Sequence, residues 1–528
     1  MKVDLDVERH LVSIEGEKLG LGKDLGSVGV AISPKWADRR DGQLLLWMTC
    51  NLLCRLKEVV GEIELSIPRD SKLLEWVVPF GGGKLLFAEA VFVGGNLAAR
   101  GCQVTLSEGS DLRRSHDAIV LVGDDTNTTA VGGFVVRTAS DGWLGFVGEE
   151  SWKPKVGESD SKNPLGAFSA ACIAVGDVFK HLGAMNETFG SYAKKLCFSS
   201  YELKTFDLSS GAAPYAANPE LPGTLDLGRL QVAGSGAVAH GFSHAVYSTV
   251  GAVGKLVYID RRVNSHGKQE FIESTNLNRY ILASNRDVGV AKGGYLAGVM
   301  ASKPGTEATG FDDSLETYVS GGESELQNVL SCVDNNASRH VIQEQLPRTM
   351  LGASTNEMEI QLSLYDLAIG TQCLKCNNPK EYDLAETDQQ VIDRLRVLSP
   401  SEQEVEARKA SLDPAVLKAY LENPNCGLLG GDSLRRLGRG ESSPSFSVGF
   451  VSAMSGMMLA GEVIRVACRD SGLEPALGRG PTDYFMNFWY DSCSLNRTLP
   501  SESCWCNAPI GKRTPRQIFA DVWNLSVP

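Results

Sequence analysis

The 528-residue sequence lacks a long apolar run, an apolar leader and an excess of positive charge, and each absence excludes a class of protein. No apolar stretch reaches the roughly 20 residues that a membrane-spanning helix needs, so a membrane protein is not expected. The opening residues, Met-Lys-Val-Asp-Leu-Asp-Val-Glu, have no apolar core typical of a secretory signal. The formal net charge of −13 argues against a nucleic-acid surface.

A disulfide framework is not expected either. The 13 cysteines are an odd number, and several lie in apolar segments, among them Cys50, Cys54, Cys172 and Cys468. This usage is typical of a reducing compartment, so we expect a cytoplasmic protein. The 43% of apolar residues suffices for buried cores, and the length predicts two large domains or one duplicated domain.

Predicted helices and strands occur in the same order in both halves. In the first half we predict a buried helix, three strands and an apolar helix over residues 43–57, 62–68, 117–123, 143–147 and 164–182. In the second half the matching helix, two strands and apolar helix fall at 238–250, 255–260, 328–333 and 450–468. The two apolar helices end in Gly176-Asp177-Val178-Phe179-Lys180 and Gly461-Glu462-Val463-Ile464-Arg465. These parallels predict an internal duplication.

Three segments interrupt this plan. Residues 200–226 are rich in Gly, Pro, Ser and Ala and are predicted to be a linker. Residues 301–327 are polar and are predicted to be a loop. Residues 378–425 are charged and carry helical periodicity, which predicts an inserted helical subdomain.

A strand, a Gly-rich turn, a helix and a second strand that ends in an acid follow one another between residues 227 and 260. Gly234 and Gly236 let the backbone approach a phosphate, and the helix after them offers free N–H groups and a positive dipole end. Asp260, at the tip of the second strand, can accept hydrogen bonds from a ribose. The pattern is typical of nucleotide folds, although Ala239 stands where a dinucleotide pattern has its third glycine.

Five further motifs follow along the chain. In order they are Asn276-Leu277-Asn278-Arg279; Asp287-Val288-Gly289; Lys292; Cys332-Val333-Asp334-Asn335-Asn336 with Arg339; and Cys373-Leu374-Lys375-Cys376. In that order the sequence resembles the ThiF, MoeB and ubiquitin-activating (E1-like) superfamily of adenylating enzymes. The resemblance covers roughly residues 227–376 and resumes at 445–506. Within the superfamily the chain looks most like a bacterial E1-type enzyme of a ubiquitin-like conjugation system, some of which act in antiviral defence against phages.

The resemblance implies an ATP·Mg²⁺ site and gives each matching residue a role. The implied roles are Gly234 and Gly236 in the phosphate turn, Asp260 on the ribose, Asn276, Arg279 and Lys292 on the phosphates, and Asp334 on Mg²⁺ near the α-phosphate. Two cations, one amide and one metal-binding carboxylate after strand ends suit the activation of a carboxylate by ATP. Taken singly, each cation is typical of a solvated surface charge, and Asp334 is typical of a helix N-cap.

Two departures from the family pattern concern the loop after Asp260. Fifteen residues separate Asp260 from Asn276, and Arg262 stands where the family usually has a second acid. Many members also take an arginine from the partner half or subunit, and the sequence leaves four candidates open: Arg39, Arg40, Arg69 and Arg100.

The first half lacks the features of the nucleotide site. Only Arg39-Arg40-Asp41-Gly42 precedes its helix, Pro68 stands where the second half has Asp260, and no Asn-Leu-Asn-Arg or Cys-x-x-Cys occurs. We therefore predict an α/β protein of two Rossmann-like adenylation halves, the first inactive and the second active, as in larger members of the superfamily. The predicted domains are 1–200, the inactive half; 201–377, the first part of the active core; 378–444, the helical insertion; and 445–528, the end of the adenylation domain with a Cys-x-Cys tail.

Cysteine spacing predicts a zinc knuckle. Cys373 and Cys376 have zinc-binding spacing, and the second pair is predicted at Cys504 and Cys506, with Cys493 as an alternative to either. Unmetallated thiols are the other interpretation. His240 and His244, four apart on a helix, are interpreted as packing residues rather than as a metal pair.

A thioester step needs an accessible thiolate outside the nucleotide pocket. Cys426 lies between Asn-Pro-Asn and Gly-Leu-Leu-Gly-Gly-Asp at the end of the predicted insertion, and we predict that it is the nucleophile. An incidental loop cysteine is the alternative.

The resemblance implies adenylation of the C-terminal carboxylate of a ubiquitin-like protein, thioester formation on a cysteine and transfer to an E2-type conjugating enzyme. A homodimer is left open. The alternative function is a ThiF/MoeB-type sulfur-carrier adenylyltransferase without a thioester step, which needs neither a fused inactive half nor an insertion. A nicotinamide-dependent oxidoreductase is disfavoured by the missing third glycine. A scaffold without chemistry is disfavoured because Arg279, Lys292 and Asp334 are all present.

Overall fold

The computed structural model describes most of the chain, in the following residue ranges: 25–57, 59–79, 85–99, 101–107, 111–157, 161–183, 191–209, 211, 213–261, 270–322, 326–356, 358–378, 388–409, 414–422, 437, 448–478, 480–502 and 504–525.

The first half forms one mixed eight-stranded sheet. Its strands are β1 (Gly26–Ile32), β2 (Val60–Ser66), β3 (Gln103–Leu106), β4 (His116–Val122), β5 (Gly132–Asp141), β6 (Leu144–Glu149), β7 (Lys195–Ser199) and β8 (Lys204–Asp207). They lie in the order β3-β2-β1-β4-β5-β6-β7-β8. The first five pair in parallel and the last three antiparallel. The helices of this half are α1 (Pro34–Ala37), α2 (Arg40–Leu53), α3 (Phe87–Ala98) and α4 (Leu165–Leu182).

The second half forms a second eight-stranded sheet. Its strands are β9 (Leu225–Ala233), β10 (Ala252–Ile259), β11 (Thr306–Phe311), β12 (Asn328–Ser331), β13 (Thr349–Asn356), β14 (Glu359–Tyr365), β15 (Asp483–Asn487) and β16 (Ser492–Asn496). The order β11-β10-β9-β12-β13-β14-β15-β16 repeats that of the first sheet strand for strand. The predicted α/β fold of two Rossmann-like halves and the predicted duplication are therefore confirmed.

The described helices of the second half complete the repeat and add to it. They are α5 (Ala237–Ser248), α6 (Lys292–Ala301), α7 (Leu315–Ser320), α8 (Asn336–Glu344), α9 (Leu374–Asn377), α10 (Asp388–Arg396), α11 (Pro400–Lys409), α12 (Pro414–Glu422), α13 (Gly449–Ala467) and α14 (Pro515–Val522). Apolar residues of α10, α11 and α12 form a small core of their own, separate from the main core. This is the arrangement expected of an inserted helical subdomain.

One apolar core runs through both halves, and α4 and α13 lie within it. Both helices are long and apolar enough to cross a membrane by length and composition, yet 89% of each apolar window is buried inside the protein. Such burial is typical of a core helix. Gly241 of α5 lies directly against α13, because a Cβ at Gly241 would come within 2.7 Å of the carbonyl oxygen of Ala453.

The matching ends of α4 and α13 carry buried charges that reach into the opposite half. Lys180 pairs with Asp177 at 2.8 Å, and its Nζ also donates to the carbonyl of Phe488, in the turn between β15 and β16. Arg465 pairs with Glu462 and donates to the carbonyl of Ser200, in the turn between β7 and β8, at 2.7 Å. The C-terminal ends of α4 and α13 thus form two reciprocal polar contacts, called clasps below, each joining one half to the other.

The prediction of a loop over residues 301–327 was wrong, because this segment contains β11 and α7. β11 is the edge strand beside β10, and its sequence Thr-Glu-Ala-Thr-Gly-Phe is largely exposed. An edge strand with so little buried surface has no apolar run to indicate it. The segment 200–226, predicted to be a linker, contains the turn of the β7–β8 hairpin, strand β8 and the first two residues of β9.

Candidate functional site

The Gly-rich turn joins the end of β9 to the start of α5. Gly234 has a φ of +90°, and a Cβ there would lie 2.9 Å from the carbonyl oxygen of Cys332, so only glycine fits. Gly236 is the N-cap of α5 and offers no capping side chain, which leaves the first N–H groups of the helix without a side-chain acceptor at the cap. The buried Ser235 hydroxyl has no hydrogen-bond partner among the described residues. This turn fits a phosphate group.

Asp260 follows β10 and lies against the turn. Its Oδ2 accepts a hydrogen bond from the backbone N–H of Ser235 at 2.7 Å. Burial raises the pKa of Asp260 to about 6, although the charge of Lys292 and the Ser235 bond both oppose that rise. A carboxylate held this way beside a phosphate turn can accept a hydrogen bond from a ribose hydroxyl.

Lys292 is the first residue of α6, and its Nζ lies 2.6 Å from Oε2 of Glu270. Burial alone lowers the pKa of Lys292, but the nearby Tyr280 phenol and the carboxylates of Asp260 and Glu270 together raise it above that of an ordinary lysine. The start of α6 also approaches the Gly-rich turn, because a Cβ at Gly293 would lie 3.7 Å from the Ser235 hydroxyl. Lys292 is therefore a largely buried cation next to the Gly-rich turn.

Sequence reasoning missed Glu270. The family pattern places an acid two positions after Asp260, where this chain has Arg262, a residue outside the described ranges. In the structure Glu270 lies beside Lys292 and raises the pKa of Asp260. Counting back from Asn276 rather than forward from Asp260 would have found it six residues upstream, since the inserted residues fall between the two acids.

Asn276 and Arg279 belong to a tight turn that follows Glu270. Asn276 is buried, and its side chain accepts a hydrogen bond from the N–H of Glu273 at 3.0 Å. Arg279 is half-buried and donates to Oδ1 of Asn278 at 3.0 Å, with its guanidinium 5.9 Å from the Tyr280 ring.

Several charged groups of this region affect the pKa of the buried Tyr280 phenol. Burial raises the pKa of its phenol, the charges of Lys292 and Arg279 lower it, and those of Asp260 and Asp334 raise it. The charges of all four residues that the sequence predicted for the ATP site therefore act on one phenol. The structure thus brings together side chains from four separate segments of the chain.

Asp334 is exposed and follows the end of β12 by three residues. It is not the N-cap of the next helix, because Asn335 caps α8 by accepting from the N–H of Ser338 at 2.8 Å. Arg339 donates to the carbonyl of Val333 at 3.2 Å and so anchors the segment just before Asp334. The charge of the exposed Asp334 carboxylate raises the pKa of Asp260, and an exposed carboxylate of this kind could bind a hard cation.

Two of the four candidate arginines of the first half, Arg39 and Arg40, donate hydrogen bonds to backbone carbonyls outside this site. Arg39 donates to the carbonyl of Gly157, and Arg40 donates to the carbonyl of Ser248 at 2.5 Å. Arg69 is exposed just after β2, and Arg100 lies outside the described residues. Arg55, which sequence reasoning did not single out, is a first-half arginine that reaches the turn of Asn276 and Arg279.

The four predicted zinc ligands come together. The Sγ atoms of Cys373, Cys376, Cys504 and Cys506 all lie within 4.8 Å of one another, and three of the separations are 3.5, 3.7 and 3.8 Å. Tetrahedral zinc with bonds of about 2.3 Å needs sulfurs about 3.8 Å apart, so the four thiols fit the ion.

Hydrogen bonds with the other thiols raise the pKa of Cys373, and a hydrogen bond with Cys376 together with burial raises that of Cys506. Hydrogen bonds donated by Cys373 and Cys506 lower the pKa of Cys376. Cys493, the alternative ligand, lies elsewhere, with its Sγ accepting from the N–H of Thr205 at 3.2 Å. The cluster therefore holds the predicted four cysteines and not the alternative one.

The predicted nucleophile, Cys426, lies outside the described residues. The other 12 cysteines form no disulfide, and each is buried or half-buried. His240 and His244 are fully buried, which lowers the pKa of both, and they belong to no metal-ligand group found among the described residues. Their interpretation as packing residues agrees with the His240 ring lying 4.5 Å from that of Tyr280 and the His244 ring 4.8 Å from that of Phe168.

Comparisons with known proteins give one family match and one curated relative. Residues 27–199 match the family model described as the BilD N-terminal domain. The uncharacterized protein y4jF of Sinorhizobium fredii (strain NBRC 101917 / NGR234) is 26% identical over 356 residues, which are 62% of this chain and 64% of that protein. The chain thus spans less than two thirds of the length of this relative.

Solved structures of E. coli MccB are also similar, at a low level. One contains MccA-N7isoASN and has 15% identity, a TM-score of 0.35, and coverage of 53% of this chain and 67% of that one. Another contains AMPCPP and SeMeT MccA and has 15% identity, a TM-score of 0.33, and coverage of 52% and 65%.

Proposed function

We propose that this protein is an E1-type enzyme that adenylates the C-terminal carboxylate of a ubiquitin-like protein with ATP·Mg²⁺. The observation that carries the proposal is the glycine turn, with Asp260 hydrogen-bonded to it and the start of α6, which carries Lys292, close beside it. The charges of Arg279 and Asp334 act on the same Tyr280 phenol as those of Asp260 and Lys292. The match of residues 27–199 to the BilD N-terminal domain supports it, since BilD belongs to a bacterial ubiquitin-like conjugation system.

In this proposal the Gly-rich turn and the start of α5 bind phosphate oxygens, and Asp260 accepts hydrogen bonds from the ribose. A substrate carboxylate oxygen attacks the α-phosphorus, the bond to the bridging oxygen breaks, and pyrophosphate leaves. Arg279 and Lys292 stabilise the negative charge that develops on the phosphate oxygens, and Asn276 donates to the same group. Asp334 would hold Mg²⁺, which neutralises phosphate charge when bound.

Glu270 takes part in this cycle by holding Lys292 before the nucleotide arrives. Their 2.6 Å pair keeps the ammonium group beside Asp260 and the turn. Phosphate oxygens can replace or share the Glu270 carboxylate as the partner of Lys292, since both are anionic acceptors. A lysine positioned in advance loses little side-chain freedom when ATP binds.

We propose Cys426 as the residue that takes the acyl group. Its thiolate would attack the carbonyl of the acyl-adenylate, AMP would leave, and an E2-type enzyme would accept the acyl group by thiol exchange. Among the described cysteines, 11 are either buried or members of the four-thiol cluster, and Cys493 is hydrogen-bonded to Thr205. These surroundings suit structural thiols and leave Cys426 as the candidate nucleophile.

We further propose that the four-thiol cluster holds one structural zinc ion. A closed set of four cysteines leaves no position for water or substrate, which is typical of structural rather than catalytic zinc. The cluster joins α9, after β14, to the segment before α14, and it packs against Leu367 and Phe519. The ion would tie the C-terminal segment to the second half.

The test is ATP–pyrophosphate exchange with candidate ubiquitin-like proteins from neighbouring genes, followed by a non-reducing gel. Exchange that needs the partner, together with a thiol-sensitive adduct that Cys426→Ala removes, is the expected result. Cys493→Ala is the matched control, and we expect it to keep the adduct.

Other outcomes separate the alternatives. Exchange without an adduct would favour the sulfur-carrier adenylyltransferase, which has no thioester step. An adduct that survives Cys426→Ala would move the nucleophile to another cysteine. No exchange with any partner would refute the adenylation proposal.

A further inference from the structure

We propose that Arg55, in the first half, is a positioning residue that holds the Asn276–Arg279 turn of the second half in its phosphate-binding shape. This inference rests on the function proposed above, because it assigns that turn to ATP. It gives the half that lacks a nucleotide site a defined part in the reaction of the other half.

The contacts of Arg55 are all made inside the protein. Arg55 comes two residues after the end of α2 and is 2% exposed. Its guanidinium donates to the carbonyls of Leu277, of Ile281 at 3.1 Å and of Ala283 at 2.9 Å. One side chain therefore binds three carbonyls within seven consecutive residues of the opposite half.

Asn51 completes this contact from the preceding turn of α2. Its Oδ1 accepts from Nε of Arg55 at 3.0 Å, and its Nδ2 donates to the carbonyl of Ile281 at 2.9 Å. The bond between the two side chains fixes the plane of the guanidinium. The remaining N–H groups of Arg55 are therefore already oriented toward the carbonyls of the turn.

The turn needs such support because it is irregular and buried. It contains the short 3-10 segment Ser274–Asn278, and the backbone hydrogen bonds of this turn and of the residues up to 283 do not use the carbonyls that Arg55 binds. Buried carbonyls without partners are unfavourable, by about 1–3 kcal/mol each. Arg55 therefore stabilises one conformation of the turn over others that would leave the carbonyls of Leu277 and Ala283 unpaired, while the Ile281 carbonyl also accepts from Asn51.

The second half holds the same turn from the other side. The N–H of Leu282 donates to Nδ1 of His240 at 3.3 Å, and the hydroxyl of Tyr295 donates to the Leu282 carbonyl. Asn276 and Arg279 thus belong to a segment that is hydrogen-bonded to α5 and α6 of the second half and to Arg55 of the first half. Loosening either side moves the groups proposed to contact phosphates.

The experiment compares Arg55→Gln with Arg137→Gln as a matched control. Arg137 is also 2% exposed, and its side chain binds the carbonyls of Gly123, Thr126 and Glu150, all in the first half. Both variants lose a buried arginine that binds three carbonyls. Only Arg55→Gln loosens the turn of the proposed site.

Two measurements are made on the full-length protein: amide hydrogen exchange of the peptide covering 276–283, and ATP binding and turnover in pyrophosphate exchange. Arg55→Gln should speed amide exchange in 276–283 and lower kcat/KM for ATP by on the order of 100-fold, as a displacement of about 1 Å at a site can do. Arg137→Gln should leave both unchanged, and Arg55→Lys should recover part of the loss.

The possible failures are distinguishable. If Arg55→Gln protects 276–283 as wild type does, or if its kcat/KM for ATP equals that of Arg137→Gln, the positioning role is wrong while the proposed function stands. If the wild-type protein itself neither binds ATP nor catalyses exchange, the proposed function and this inference are both overturned.

Discussion

The two halves of the molecule share one topology but differ at the point where β1 and β9 end. After β9 the chain turns at Gly234 and enters α5 within four residues. After β1 it makes the short helix α1, and the fully buried Trp36 packs against Gly123, at the end of β4, with its indole N–H donating to Asp124 at 2.6 Å. The segment after β1 thus packs a buried indole against the end of a neighbouring strand, whereas the segment after β9 is a glycine turn.

The pairing registers of the strands show which residues occupy matching positions at the strand ends of the two halves. Pro68 of the first half and Asp260 of the second follow equivalent ends of β2 and β10. Asp125 follows Val122 by three residues, as Asp334 follows Ser331. The same backbone can therefore serve as a rigid support or as a candidate site, depending on a few side chains at the strand ends.

The largest expected effect compares these two acids directly. Asp334→Ala should lower ATP–pyrophosphate exchange by on the order of 1,000-fold or more, because it removes the proposed magnesium ligand. Asp125→Ala should change exchange by less than about twofold, since Asp125 accepts from the Ser33 hydroxyl and faces no proposed ligand. Equal losses in both variants would contradict the division into a supporting and an active half.

The cysteine cluster sharpens the comparison, because its four thiols lie in the second half only. Elemental analysis should find about one zinc per chain in the wild type. Cys373→Ser should lose the metal and lower the melting temperature, since binding energy at a structural site adds to folding stability. Cys493→Ser should keep the metal, and a Cys373→Ser protein with full zinc would refute the ligand set.

The clasps between the halves make a smaller difference. Arg465→Met leaves Glu462 buried beside an apolar side chain, and we expect it to cost about 3–5 kcal/mol in urea unfolding. Lys180→Met should cost a similar amount, because Lys180 stands between the buried Asp177 and Asp491. Both variants should unfold in one transition, since a single core spans the halves. Two transitions, with only one half affected, would contradict this coupling.

Much of this architecture could be predicted from the sequence. Apolar runs located α4 and α13, and the spacing of Cys373, Cys376, Cys504 and Cys506 predicted ligands that lie together in the structure. The exposed edge strand β11 was missed because its partner, and not its own sequence, makes it a strand. Arg55 and Glu270 were missed for a related reason. Their roles depend on which segments meet in space, although Asn51 and Arg55 in an apolar helix were a signal that buried polar partners must exist.

Asp260 supplies the smallest and most specific prediction, because the first half has proline at the equivalent position. The pKa of Asp260 is about 6 in the folded protein against an ordinary value of 3.8, so the folded state binds its proton more tightly than the unfolded state. Folding stability should therefore fall as pH rises from about 4 to about 6, and the penalty should be fully present above that window. Asp260→Asn removes it, which should raise the unfolding free energy at pH 8 by about 1–3 kcal/mol and leave it unchanged near pH 4.

The same substitution should weaken ATP binding by about 10-fold, since a neutral amide is a poorer acceptor for a ribose hydroxyl than a carboxylate. Urea unfolding at pH 8 and pH 4, with Pro68→Ala as the first-half control, tests the stability effect, and titration with ATP tests the binding effect. A variant that gains stability at pH 8 while losing affinity would indicate that the second half keeps a destabilising buried acid for its function. If Asp260→Asn and the wild type have the same unfolding free energy at pH 8 as well as at pH 4, the raised pKa of Asp260 is contradicted. This difference between the halves would then not exist.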